Sequence, residues 1–175
     1  IDQLRSSMLP VPYPATGTVI GLGNDWTFGR AGQTLTSRTG DSRGKTYTVS
    51  SLDVRPTAEQ MRQMRTTIGP SLESYVELPR SMPSIITRTA REVTADADND
   101  YDRAIALQKF FRDGDFRYSE TAPVAGDYDG NGVEVIAEFL REKAGYCVHF
   151  SSAMAVMART LDMPSRIAVG YAPGT

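Results

Sequence analysis

The 175-residue sequence predicts a chain of mixed secondary structure, with a β-rich N-terminal region, 1–74, followed by a mainly helical region, 75–175. Prolines and glycines are frequent near the N-terminus, which rules out a long helix there. Apolar residues recur at helical spacing in the second region. The only cysteine and the only histidine, Cys147 and His149, lie in that second region, and nucleophilic chemistry is expected there.

Composition limits the classes of protein and of partner. With 40% apolar and 23% charged residues, the chain is long enough for one core, or for a core and a smaller lobe. The net charge of -2 gives no general attraction to nucleic acid, so nucleic acid is not expected as a partner. No apolar run approaches the roughly 18 residues that span a bilayer, and no signal-peptide pattern is present. Because the sequence begins at Ile1, we expect a piece of a longer protein.

The N-terminal region is expected to form strands and turns. Residues 32–54 alternate between apolar and polar positions on either side of a loop over 40–44, which predicts two strands joined in a hairpin. Thr57 then caps a short helix over 58–64. The chain becomes extended again near 74–79, where the boundary between the two regions is placed.

Two helices are predicted next, over 84–95 and 100–113. Ser84 is expected to cap the first helix, and Asn99 or Asp100 the second. Alternating aspartates surround the start of the second helix, and we interpret them as a solvated, helix-capping loop rather than a catalytic or metal-binding group: Asp96, Asp98, Asp100 and Asp102. A short strand or extended link follows at 116–119.

One stretch matches the pattern of a calcium-binding loop. Its oxygen ligands would come from four positions: Asp127, Asp129, Asn131 and Glu138. The match is incomplete, because Glu134 stands where an apolar residue usually packs and no helix is predicted before the loop. We therefore expect a turn and a helix cap here rather than a metal site, and no cofactor is predicted.

The last predicted elements surround Cys147. A helix over 134–143 is expected to be stopped by Gly145, which can take a positive φ. A second helix runs from Cys147 to Leu161 and ends at Met163 and Pro164. Residues 165–171 then predict a β-strand.

Cys147 is thus placed in the first turn of a helix. Unpaired backbone N–H groups and the positive end of the helix dipole stabilise an anion there, which favours a reactive thiolate. A nucleophilic cysteine is usually prepared in this way. The alternative is that a lone cysteine on an apolar helix face is a small buried hydrophobic residue.

The segment from Phe139 to Tyr171 resembles the nucleophile region of the transglutaminase-like superfamily, in particular of its bacterial membrane-anchored branch. The residues that carry the resemblance are Phe139, Leu140, Gly145, Tyr146, Cys147, His149, Phe150, Arg159, Pro164, Arg166, Gly170 and Tyr171. Asp162 replaces the usual glycine, and Ser152 lies where alanine is common. The resemblance implies an α+β, papain-like core in which the cysteine helix packs on an antiparallel sheet whose later strands are missing here.

The resemblance also implies that Cys147 is the nucleophile of a Cys-His-Asp triad, with the histidine and aspartate downstream of this sequence. His149 is not the expected base, because residues two apart on a helix point about 200° away from each other. We assign Tyr146 and His149 supporting roles, and the backbone N–H of Cys147 is the expected oxyanion donor. No further cysteine or histidine is present to complete a zinc site.

The implied reaction is attack of the thiolate on an amide carbonyl of a protein or peptide, giving an acyl-enzyme that an amine or water resolves. The parent would be a membrane-anchored transglutaminase or cysteine peptidase, with this domain on the extracytoplasmic side of the bacterial cell membrane. The fragment alone is expected to be inactive because it lacks the base. The alternatives are a catalytically inactive binding or structural module with this fold and, from the loop ending at Glu138, a calcium-binding adhesion module.

Overall fold

The computed structural model describes three stretches of the chain, 5–29, 32–121 and 132–170. The chain forms two compact units, which are Ile1–Arg55 with Val169–Thr175, and Pro56–Ala168. Within the described residues every helix belongs to the second unit, and an antiparallel sheet belongs to the first. The predicted α+β class is confirmed.

The two units divide at Arg55 and Pro56, so residues 56–74, which the sequence pattern placed in the N-terminal region, pack with the helices. An ion pair joins this stretch to the later helices. Arg62 Nε lies 3.0 Å from the carboxylate of Asp102.

The first unit contains a three-stranded antiparallel sheet. Its strands are β1 (Met8–Leu9), β2 (Trp26–Gly29) and β3 (Thr34–Ser37), in the order β1-β3-β2. Leu9 and Leu35 pair across β1 and β3 and are both buried. This pair gives the sheet its apolar centre.

The hairpin predicted over 32–54 is wrong. Both edges of β3 are already occupied, by β1 and by β2, so the following residues cannot add to it. Residues 46–52 instead form isolated bridges to an earlier part of the chain, where Ile20 pairs with Thr48 and Ala15 with Ser51.

The second unit is built from helices and one short strand pair. Its elements are α1 (Ala58–Gln63), a 3-10 turn (Glu73–Tyr75), α2 (Ser84–Val93), α3 (Asp100–Asp113), β4 (Arg117–Tyr118), α4 (Val133–Glu142), β5 (Ala144–Gly145) and α5 (Cys147–Arg159).

The helix starts follow the predicted capping residues in two of three cases. Thr57 accepts the Gln60 N–H and Asn99 accepts the Asp102 N–H, so both predicted caps are confirmed. The prediction for Ser84 is wrong, since Pro83 occupies the cap position and Ser84 is the first helical residue.

The core of the second unit is centred on α5, which packs against α2, α3 and α4. Its fully or nearly fully buried side chains come from all four helices: Ile86, Ala90, Leu107, Phe111, Ile136, Phe139, Leu140, Ala153 and Met157. Phe139 is completely buried and contacts the rings of Phe111, Phe116 and Phe150. This aromatic cluster lies beneath the N-terminal half of α5.

The chain after α5 differs from the prediction. The helix ends at Arg159, earlier than Met163, and the turn that follows includes Asp162 with φ +60°. That value lies in the left-handed region, which explains why glycine is favoured at this position. Residues 165–170 form no strand, and Val169 is 94% exposed. The Ser165 N–H donates to the Tyr75 carbonyl at 3.0 Å, but the described residues form no strand pair here.

No helix among the described residues combines the length and the apolar character needed to cross a membrane.

Candidate active site

The turn that leads into α5 is shaped by Lys143 and Gly145. Lys143 ends α4 with φ +48°, so the prediction that Gly145 would supply the positive φ is wrong. Gly145 is needed for a different reason. A Cβ added to it would lie 2.9 Å from both His149 Nδ1 and Phe139 Cδ2, a distance that real Cβ atoms do not tolerate. The glycine therefore permits a close approach between the backbone and two rings.

A short parallel strand pair fixes the backbone ahead of Cys147. The Arg117 N–H donates to the Lys143 carbonyl and the Ser119 N–H donates to the Gly145 carbonyl, each at 2.8 Å. The second bond holds the chain two residues before Cys147. The strands nearest to α5 are thus parallel, and the antiparallel sheet expected against this helix is not formed by the described residues of the second unit.

Cys147 is the first residue of α5 and is exposed. The alternative interpretation of Cys147 as a small buried hydrophobic residue is therefore wrong. The N–H groups of His149 and Phe150 both donate to the Tyr146 carbonyl, at 2.9 and 3.3 Å, and these are the first hydrogen bonds of the helix. The N–H groups of Cys147 and Val148 precede them and have no partner within the helix. An exposed thiol thus lies beside two backbone donors.

His149 contacts the same turn with its side chain. Its Nδ1 accepts the Tyr146 N–H at 3.2 Å. The imidazole stacks on Phe139, with ring centroids 5.9 Å apart, and meets the Tyr146 ring edge-on at 4.4 Å. Burial lowers the pKa of His149, so the neutral ring that can accept this hydrogen bond is favoured.

The structure brings Cys147, Tyr146 and His149 together in one turn and gives two further residues a role there. Phe139, which the resemblance included without a role at this turn, supports the imidazole, and Ser119 holds the Gly145 carbonyl. Ser119 is distant in sequence from Cys147, and helical or strand periodicity contains no signal for either contact.

The calcium-loop prediction falls mostly outside the described residues. Asp127, Asp129 and Asn131 lie there, and of the four proposed ligands only Glu138 is described. Its carboxylate is 2.8 Å from Arg141 Nη1. Within the described stretches no group of three or more histidine, cysteine, aspartate or glutamate side chains could hold a metal ion.

The acidic set at the start of α3 behaves as a capped helix start. Hydrogen bonds from Asn99 and from Arg62 lower the pKa of Asp102. Arg103 pairs with Asp100 at 3.3 Å. These pairings account for two of the four aspartates through contacts with neighbouring side chains.

Comparison with known proteins adds the family. The model of the transglutaminase-like superfamily matches residues 87–175. The chain is 36% identical over 103 residues to the uncharacterized protein YebA of Bacillus subtilis (strain 168), a match that covers 58% of this chain and 14% of YebA.

The fold is similar to that of the periplasmic domain of TgpA from Pseudomonas aeruginosa, in a structure bound to ethylmercury and in a second structure. The TM-scores are 0.63 and 0.62, at 20% identity and 92% coverage of this chain in both cases. The chain covers 53% and 51% of those two chains, so it spans about half of that domain and a smaller part of YebA.

The family match covers half of the sequence and includes the whole turn around Cys147. The resemblance found in the sequence is thereby confirmed, and the chain belongs to the transglutaminase-like superfamily, which generally includes cysteine-dependent acyltransferases and proteases.

Proposed function

We propose that this chain is the nucleophile-bearing part of a cysteine-dependent enzyme that transfers or hydrolyses acyl groups of protein or peptide amides. One observation carries the proposal. The single thiol of the sequence is exposed at the first position of α5, inside the segment that matches the superfamily.

The geometry suggests how the first half-reaction would proceed. Cys147 Sγ attacks the carbonyl carbon, and the carbonyl oxygen becomes an oxyanion. The N–H groups of Cys147 and Val148 are the candidate donors to that oxygen, because neither has a partner within the helix. Collapse of the tetrahedral intermediate expels the amine, which takes a proton from a general acid, and leaves a thioester on Cys147. An amine or water then resolves the thioester.

The general acid and base are proposed to be a histidine downstream of this sequence, oriented by an aspartate. His149 does not fit that role, because its Nδ1 accepts the Tyr146 N–H and its ring is held against Phe139. On this proposal the 175 residues alone do not turn over an amide substrate.

We also propose an extracytoplasmic location for this domain, in a parent protein anchored in the bacterial membrane. The TgpA structures are of a periplasmic domain, and the chain covers about half of it. The YebA match likewise covers 14% of a longer protein, which leaves room for an anchor elsewhere in a relative of that length.

A catalytically inactive binding or structural module is the second candidate. It is favoured because the sequence contains a single histidine, and the side chain of this histidine accepts the Tyr146 N–H.

Acylation by an activated ester distinguishes the proposed cysteine-dependent enzyme from the inactive binding or structural module. A p-nitrophenyl ester releases a leaving group that needs no proton, so the experiment tests the nucleophile and the oxyanion donors without the general acid. Intact-mass measurement is expected to show one acyl group on the chain and none on Cys147→Ser. The matched control is the double variant C147S/S151C, whose thiol lies one turn further along α5 on the same face. If that thiol is acylated as fast as Cys147, the proposed function loses its support.

A further inference from the structure

The side chain and the backbone of His149 both form hydrogen bonds with Tyr146, in the turn that contains Cys147. The Tyr146 N–H donates to His149 Nδ1 at 3.2 Å, and the His149 N–H donates back to the Tyr146 carbonyl at 2.9 Å. The two residues flank Cys147 and are therefore joined twice, once through the backbone and once through the side chain.

The position of the ring is fixed from three elements. Phe139 of α4 stacks on one face at 5.9 Å, and Tyr146 meets the ring edge-on at 4.4 Å. Gly145 of β5 approaches so closely that a Cβ there would lie 2.9 Å from Nδ1 and 3.1 Å from His149 Cβ. With these contacts on its sides, the ring cannot move away from the Tyr146 N–H without breaking the packing.

We propose that His149 is a positioning residue for Cys147. Its neutral imidazole accepts the Tyr146 N–H and so fixes the start of α5, and protonation of the ring breaks this hydrogen bond. The inference rests on the proposed nucleophilic role of Cys147. Its chemistry is simple, because an imidazolium carries N–H donors on both nitrogens and has no lone pair left to accept the Tyr146 N–H. Protonation therefore places two donors against each other across 3.2 Å.

The groups that face the His149 ring come from α4, from β5 and from its own turn. From α4 the ring meets Phe139, and from β5 it meets Gly145. The titratable groups of its own turn are the phenol of Tyr146 and the thiol of Cys147. Charged side chains close in sequence to these contacts are Glu138, Glu142 and Lys143. Glu138 is paired with Arg141 at 2.8 Å and Lys143 with Asp115 at 3.4 Å.

Burial lowers the pKa of His149, and no charged side chain of the described chain contributes to that shift. Because the sequence has one histidine, its titration can be followed without assignment by the imidazole signals in an NMR spectrum.

The test compares the alkylation rate of Cys147 by iodoacetamide in the unsubstituted chain and in His149→Asn across the pH range in which histidine titrates. Asn places its Oδ1 close to the position of Nδ1, so it keeps an acceptor for the Tyr146 N–H but does not titrate. Dividing the rate for the unsubstituted chain by the rate for His149→Asn removes the dependence on the thiolate fraction that the two chains share. We expect the ratio to be constant above about pH 7.5 and to fall about three- to tenfold on acidification, with its midpoint at the pKa of His149 measured by NMR.

A ratio that stays constant across the range, or a midpoint away from that pKa, would overturn the proposal. A second measurement needs no variant, since the Tyr146 amide proton shift must follow the same midpoint, and a shift independent of pH overturns the proposal as well. The outcome is separable from that of the proposed function. If the ester fails to acylate Cys147 while the alkylation ratio follows His149, the acyl-transfer function is lost and the positioning role stands.

Discussion

The two ends of α5 are held in different ways. At the C-terminal end, the Arg159 guanidinium donates to the carbonyls of Glu77 at 3.0 Å and of Ser165 at 2.9 Å, and Met157 beside it is fully buried. At the N-terminal end, Cys147 is exposed, His149 Nδ1 accepts the Tyr146 N–H, and the Ser151 hydroxyl donates to the Cys147 carbonyl at 2.8 Å.

The difference is consistent with the proposed function. Burial and a charged side chain with several acceptors give rigidity, but they would hide a thiol that is proposed to react with a substrate. The N-terminal end therefore relies on backbone hydrogen bonds and one partly buried ring. Changes at the C-terminal end should alter stability, and changes at the N-terminal turn should alter thiol reactivity as well.

The largest effect is expected from Phe139→Ala, because this side chain belongs both to the core and to the support of His149. Phe139 is completely buried and contacts three other phenylalanines, so its truncation should lower the free energy of unfolding by about 3 to 5 kcal/mol. Urea unfolding measures this loss. Met64→Ala, at a side chain that is 71% exposed, is the control and should cost under about 0.5 kcal/mol. Equal losses in the two variants would contradict the account.

Gly145→Ala should disturb the N-terminal turn and the two rings that pack against it. The added Cβ must displace the rings of His149 and Phe139, which should cost about 1 to 3 kcal/mol of stability. The alkylation rate of Cys147 should fall in the same variant. Gly69→Ala is the matched control, since a Cβ at Gly69 meets nothing within 4 Å. If both alanines are tolerated equally, the close approach at Gly145 is not the reason for the glycine.

Arg159→Ala is expected to weaken the C-terminal end by about 1 to 2 kcal/mol, because the carbonyls of Glu77 and Ser165 lose a charged donor. The alkylation rate of Cys147 should stay within about twofold of the unsubstituted chain at conditions where the variant is folded. Arg159→Lys keeps the charge without the planar fork and should recover part of the stability. A large loss of thiol reactivity in Arg159→Ala would show that the two ends are not separable.

The smallest effect concerns pH. The pKa of His149 in the folded chain lies below its ordinary value of 6.5, so the unfolded chain takes up this proton first as the pH falls. The stability contribution is therefore complete above about pH 7.5 and is lost on acidification through 6.5. Because the ring is partly exposed, we expect this loss, relative to His149→Asn, to be smaller than the effects above, and urea unfolding at several pH values measures it. If the stability of the unsubstituted chain relative to His149→Asn fell with rising pH, the sign would contradict this prediction.

Local signals in the sequence predicted what local contacts decide. The caps at Thr57 and Asn99 depend on residues three positions away and are confirmed. The place of Cys147 at a helix start is confirmed for the same reason, because the turn and the apolar spacing are read within a few residues.

What the sequence did not predict depends on contacts that periodicity does not describe. β5, which follows the end of α4 at Lys143, pairs with β4 from a distant part of the chain, and the need for glycine at 145 follows from two rings that approach its backbone. The strand predicted over 165–171 is not formed at 165–170, because a strand pattern in one segment does not specify a partner strand. Periodicity is a property of one segment, whereas strand pairing depends on two segments.

Alkylation of Cys147 near pH 6 tests whether the start of α5 prepares this thiol as a nucleophile. The rate for the unsubstituted chain is compared with that of C147S/S151C, whose thiol lies one turn into the same helix. Stabilisation of the thiolate by the helix end predicts that Cys147 reacts about fivefold faster or more. Equal rates for the two thiols, with both proteins folded, would contradict the claim.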